Sequence, residues 1–199
     1  MGVYYTSRRW YPFSPARKGE DKPCKFSLPM VKWVIKRGGL PMKRISKENY
    51  YLDIAQTVLE RATCLRRVYG AIIVTNDEII STGYNGAPRG RANCVDMGYC
   101  SREVLQVPRG ERYELCRSIH AEANAIISAA RRDMVGGTLY LVGRDAQTGE
   151  LLGDATSCSM CRRMVINAGL ERVVIRRTET EFDIISVSDW IAEDDAVSL

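Results

Sequence analysis

Apolar residues first recur at helical spacing at Tyr51, Ile54, Ala55, Val58, Leu59 and Ala62. That period predicts a helix from Lys47 to about Arg66, with Ser46 as its N-cap. The period then changes. Ala71-Ile-Ile-Val74 and Ile79-Ile80 are short apolar runs on either side of Asn76-Asp77, which predicts two strands joined in a hairpin. Gly83 to Gly90 is a loop by composition, and a long, mostly polar, cysteine-bearing stretch runs on to Ser118. Ala123, Ile126, Ile127 and Ala130 share one side of a second helix, Ile119 to about Arg132, which Gly136-Gly137 ends. Thr138 to Val142 predicts a strand, and Gly143 to Asp154 a hairpin insertion turning at Thr148-Gly149. Cys158 to about Ala168 predicts a short helix closed by Gly169, Val173-Val-Ile175 another strand, and Ser186 to Ala192 a weaker last helix. Strands alternating with helices make an α/β layered domain. No internal repeat is present.

Residues 1–42 have no sustained period and are broken by Pro12, Pro15, Pro23, Pro29 and Pro41. They read as a poorly ordered extension over 1–41, with Met42, an alternative start, opening a patterned domain over 42–199. Charge divides at the same place. Residues 1–45 hold 11 Lys/Arg and 2 Asp/Glu, so a whole-chain net of +5 leaves −4 for residues 46–199. A domain that tracks a phosphate backbone carries its positive charge on the folded region, so a nucleic-acid substrate is disfavoured. No apolar run approaches the ~20 residues of a membrane span, and the N-terminus lacks the apolar core of a secretory signal. The expected location is cytoplasmic.

Seven cysteines, an odd number, stand at positions 24, 64, 94, 100, 116, 158 and 161, beside a single histidine. In a reducing compartment such cysteines point to metal or catalysis rather than to disulfides. The strongest signal joins His120-Ala-Glu122 with Cys158-Ser-Met-Cys161. A Cys-x-x-Cys opening a helix puts two thiols one turn apart, within reach of one metal ion, and the helix N-terminus favours thiolates. His120 would be the third ligand. Three protein ligands leave a fourth position for water, as in catalytic zinc sites. Glu122, two residues past the histidine, is placed to accept that water's proton. The bland alternatives are buried side chains without metal, or part of a closed four-ligand structural zinc.

With these residues the sequence resembles the deoxycytidylate (dCMP) deaminases, and is most similar to the bacterial and archaeal branch that includes the late competence operon protein 2. The resemblance runs from about Met42 to Val174. It rests on Thr63-Cys-Leu-Arg-Arg67, Gly70-Ala-Ile-Ile-Val74, Ser81-Thr-Gly-Tyr-Asn-Gly-Ala-Pro88, Ile119-His-Ala-Glu-Ala-Asn-Ala-Ile126 and Cys158-Ser-Met-Cys-Arg-Arg-Met164. It implies a three-layer α/β/α cytidine-deaminase fold with a five-stranded mixed sheet, and zinc-assisted hydrolysis of dCMP to dUMP and ammonia. A zinc-activated water would attack C4 while Glu122 protonates N3 and then the departing amino group. Asn85 matches the family's substrate-contacting asparagine, with Ala121 also at the substrate; by composition alone Asn85 would be a turn residue. Arg66, Arg67 and Arg89 flank the pocket-forming segments and are the candidates for the substrate phosphate.

Some relatives carry a second, structural zinc in the region of Cys64, Cys94, Cys100 and Cys116. These four could close a Cys₄ site, or be ordinary small buried residues. Two departures from the family stand out: Ser157 where proline is common, and Tyr69 where a small aliphatic residue is usual. A homo-oligomer is expected from the resemblance, with feedback by dCTP and dTTP as in some relatives. The rival readings are a tRNA adenosine or cytidine deaminase of the same fold, and a non-enzymatic zinc protein that binds a partner. The 34 residues between Asn85 and His120 disfavour the tRNA enzymes, and Glu122 disfavours the structural reading.

Overall fold

In the computed structural model, which describes residues 44–108 and 110–193, Ser46 opens α1 (Lys47–Leu59). The Asn49 backbone N–H donates to its Oγ at 3.2 Å, satisfying one of the free donors of the first turn. The helix stops seven residues before the expected Arg66, because Arg67 already belongs to the sheet. Ala62 N–H donates to Leu59 O, and Thr63 N–H crosses to Asn85 O, so the chain turns there. The extension expected over 1–41, and the boundary at Met42, lie outside the described residues.

Strands β1 (Arg67–Thr75) and β2 (Glu78–Tyr84) form the expected hairpin. Asn76 and Asp77 both adopt positive φ, 52° and 69°, the conformation that matches a two-residue turn to the strand twist. The polar stretch that follows holds two short helices, α2 (Cys94–Met97) and α3 (Ser101–Val104), and a 3₁₀ turn at Tyr113–Leu115. The helix expected over 119–132 is two: α4 (Ala121–Ile127) and α5 (Arg131–Met134). Ser128 Oγ donates to the Asn124 carbonyl at 2.7 Å, a local bond that competes with helix continuation. Strand β3 (Thr138–Asp145), α6 (Ser159–Ala168), β4 (Arg172–Arg176), β5 (Phe182–Ser186) and α7 (Val187–Ala192) complete the order. The turn after β3 falls as expected, with Arg144 bridging Leu151.

The strands lie in the order β2-β1-β3-β4-β5, with β3 and β4 parallel and the other pairs antiparallel. This is the expected five-stranded mixed sheet. Successive side chains of a strand face opposite sides, and here both sides are covered. Ile72, Val74, Tyr140, Val142 and Val174 pack under Tyr51, Leu52, Ala55 and Leu59 of α1. Ala71, Ile73, Leu139, Leu141, Val173 and Ile175 face the other way, against α4, α5, α6 and α7 through Ala121, Ala125, Met134, Val165, Ala168 and Trp190. That two-sided burial explains why β1, β3 and β4 read as continuous apolar runs. The result is three layers, α/β/α. Among the described residues no helix is long and apolar enough to cross a membrane.

Candidate metal centre

His120 and Cys158 are the N-cap residues of α4 and α6, and each helix is fixed to the sheet on its own account. Ile119 and Gly86 exchange backbone hydrogen bonds at 2.8 and 3.2 Å, which sets the residue before the histidine. Ser81 Oγ donates to Ala125 O at 2.8 Å, and Asn124 Nδ2 donates to Tyr84 O at 2.7 Å. Between them Gly83 lets β2 meet the α4 backbone directly: a Cβ there would collide with Ala121 O and Ala125 N. On α6, Cys161, Val165 and Ala168 form the buried side, and Gly169 ends the helix at φ 79°.

The two helix starts bring three groups together. His120 Nδ1 lies 3.4 Å from Cys158 Sγ and 3.4 Å from Cys161 Sγ. A tetrahedral zinc with ~2.3 Å bonds to sulfur and ~2.1 Å to nitrogen would set these atoms about 3.6 Å apart. The donor set fits zinc. Hydrogen bonding from the Cys161 thiol, aided by His120, holds Cys158 far below the usual thiol range, while that same donation pushes Cys161 up. A bound cation would favour both sulfurs as thiolates. Burial opposes charge on the His120 ring, but the Cys158 sulfur and the Glu122 carboxylate outweigh it and raise the ring's pKa.

Glu122, only 4% exposed, lies in the first turn of α4. Burial pushes its carboxyl up, against the pull of His120. It shares with His120, Ala121 and Cys158 the wall of a cavity of about 490 Å³. Asn85 also lines this cavity, and its amide serves the sheet edge: Oδ1 accepts from Tyr69 N–H at 2.8 Å and Nδ2 donates to Arg67 O at 2.9 Å. The turn-residue reading of Asn85 thus falls short, since its side chain ties β2 to β1 where the strands open into the site.

Of the three arginines expected near the site, Arg66 and Arg67 line the cavity and are paired with carboxylates, Arg66 with Glu103 at 3.1 Å and Arg67 with Asp154 at 3.9 Å. Arg89 does not reach it. It lines a separate hollow of about 290 Å³ beside Arg61 and Asn124, because the chain passes the site at Asn85 and turns away. Tyr69, Arg102, Tyr113 and Arg162 line the metal cavity and were not expected there. The four remaining described cysteines do not converge as the trio does. Cys64, Cys100 and Cys116 sit along the cavity wall and Cys94 is buried. Among the described residues, His120, Cys158 and Cys161 are the one set of three or more such groups whose ligand atoms all lie within 4.8 Å. Cys94 and Cys116 each feel the charge of Cys64 and Cys100, so the four thiols are grouped in one region beside the cavity.

Residues 45–177 match the family described as the cytidine and deoxycytidylate deaminase zinc-binding region. The chain belongs to that family. The matched span contains all of His120, Glu122, Cys158 and Cys161, so the family's zinc-binding region coincides with the trio that fits zinc. Among the deaminases it resembles, the chain is 34% identical over 138 residues to the deoxycytidylate deaminase of Mycobacterium phage D29, covering 67% of this chain and 96% of that one. It is 32% identical over 131 residues to the deoxycytidylate deaminase of Schizosaccharomyces pombe, covering 66% of this chain and 37% of that longer protein. It is 30% identical over 132 residues to the ComE operon protein 2 of Bacillus subtilis, covering 66% of this chain and 60% of that one.

Proposed function

We propose that this chain hydrolyses the amino group of dCMP, giving dUMP and ammonia. The observation that carries the reading is the place of Glu122: a buried carboxylate two residues from His120, on the same cavity as the trio. The relatives from phage D29 and fission yeast, both named deoxycytidylate deaminase, support the choice of substrate.

A zinc ion held by His120, Cys158 and Cys161 would leave one position for water and lower that water's pKa. The protein's own part is proton movement. A carboxylate oxygen of Glu122 takes a proton from the water as its oxygen bonds to C4 of the base, and gives the proton to N3. Glu122 then moves the second proton of the added hydroxyl to the amino nitrogen, the C4–N bond breaks, and ammonia leaves a C4 carbonyl behind. Ala121 and Asn85 form the wall beside the base, and Asn85 retains one N–H and one lone pair beyond those it uses on β1. We also place the enzyme in a reducing, cytoplasmic compartment as a homo-oligomer. The Cys158–Cys161 pair at the candidate metal centre, which needs reduced sulfur, supports the compartment.

The test is to incubate the full chain, loaded with zinc, with dCMP, deoxycytidine, CMP and dCTP, and to follow the loss of cytosine absorbance. The expected result is turnover of dCMP well above the other three. Equal turnover of deoxycytidine and dCMP, or none of either, contradicts the proposal.

A further inference from the structure

We infer that Arg102 is the anion receptor of the metal cavity, the side chain that reads the 5′-phosphate of a nucleoside monophosphate. The inference rests on the deaminase reading above and names a subsite within it. Four arginines of the described residues line the cavity: Arg66, Arg67, Arg102 and Arg162. Three of them already face a carboxylate, Arg66 with Glu103 at 3.1 Å, Arg67 with Asp154 at 3.9 Å and Arg162 with Glu193 at 3.9 Å. Arg102 is different. It is only 5% exposed, and no carboxylate of the described residues is ion-paired with it.

Among the described residues its hydrogen-bond partners are few. One amino group, Nη2, donates to Pro108 O at 2.7 Å, while the buried Nε has no hydrogen-bond partner. The guanidinium lies over the Tyr113 ring at 4.7 Å. Such a group, charged and withdrawn from water, is costly to leave without a counter-ion, so its surroundings are completed by an anion that enters from the cavity. The planar fork of donors suits the oxygens of a phosphate, and the stacking on Tyr113 holds the fork in one orientation.

Tyr113 meets the His120 ring edge-on at 4.9 Å, so the guanidinium stands two ring contacts from a metal ligand. A single nucleotide bridges that span, with its base at Glu122 and its 5′-phosphate at Arg102. A nucleoside without the phosphate would leave the buried guanidinium unanswered, so selectivity arises from the enzyme's own unmet charge.

The experiment compares the zinc-loaded full chain with Arg102→Gln and Arg102→Lys. Two quantities are read: the ratio of kcat/KM for dCMP over deoxycytidine, and the rise in Tm produced by dUMP beyond that produced by deoxyuridine. Arg102→Gln is expected to lower the ratio about 10- to 100-fold, as loss of a charge-assisted pair of hydrogen bonds does, and to abolish the extra Tm rise. Arg102→Lys, which keeps the charge but not the fork, is expected to fall between. If Arg102→Gln does not fold, the lysine variant carries the comparison. A proportional loss on both substrates, or an unchanged ratio and unchanged dUMP protection, overturns the inference. A wild-type chain that deaminates neither substrate defeats the proposed function instead, and the dUMP-dependent Tm rise then judges Arg102 by itself.

Discussion

His120 Nδ1 lies 3.4 Å from Cys158 Sγ although the two residues are 38 positions apart, and each is the N-cap of its helix. The meeting is made by the sheet. Strand β2 holds α4 through Ser81, Gly83 and Tyr84, and the run from β3 through the Thr148-Gly149 turn delivers α6 beside it. Two helix N-termini then face one point, where their positive ends favour thiolates and an activated water.

Cys161 is fully buried, one helical turn beyond Cys158, and its sulfur belongs to the one set of ligand atoms that converges among the described residues. Cys161→Ser should reduce bound zinc from stoichiometric to trace, measured by plasma mass spectrometry after dialysis. Tm should fall with it, because metal bound only by the folded chain stabilises that state. A full zinc load in the variant contradicts the ligand assignment.

The contact at Gly83 predicts a packing effect with a built-in control. Gly83→Ala sets a methyl group against the backbone at Ala121 and Ala125, and should destabilise by about 1–3 kcal/mol or more in urea unfolding. Since α4 carries His120, zinc affinity should weaken too. Gly153→Ala, whose new Cβ would meet only Arg177 O at 3.9 Å, should stay within about 0.5 kcal/mol of wild type. Equal stability of the two variants contradicts the close approach.

The metal trio and Glu122 were legible in the sequence because each motif is local: one helix start supplies His120 and Glu122, another supplies both thiols. Strands β1, β3 and β4 were legible because burial on both faces gives unbroken apolar runs. Strand β5 was not, since Phe182-Asp-Ile-Ile-Ser186 is an edge strand with Asp183 and Ile184 exposed. The end of the second long helix was misplaced because Ile127, counted with the core face, is 70% exposed. Arg102 carried no sequence signal at all. The role proposed for it rests on burial without an ion-pair partner among the described residues, a property of the folded cavity. Arg89 is the opposite case, adjacent to the site along the chain yet lining another hollow.

Asn85 predicts a cost in stability as well as in turnover. Asn85→Ala leaves Arg67 O and Tyr69 N–H without their partners at a part-buried position, and each unmet group costs about 1–3 kcal/mol. Urea midpoints should fall accordingly. A variant with lost activity but wild-type stability would show that the side chain serves the substrate alone.

A pH effect follows from Tyr51, whose hydroxyl donates to Asp77 O and Oδ1, each at 3.0 Å. Burial, reinforced by the Asp77 carboxylate, pushes this phenol from 10.0 up to about 12. The folded state thus favours the neutral phenol. Its stabilising effect is complete below pH 10 and is lost as pH rises from there towards 12. Unfolding free energy should therefore decline more steeply over that interval in wild type than in Tyr51→Phe, and parallel declines contradict the assignment.

The most direct test of the central claim is Glu122→Gln, assayed for both bound zinc and dCMP turnover. Glutamine keeps the shape of a buried side chain that binds no metal, but it cannot carry a proton between water, N3 and the amino group. The account predicts an undiminished zinc load with turnover reduced at least ~10²- to 10⁴-fold. Turnover close to wild type, with zinc in place, would contradict it.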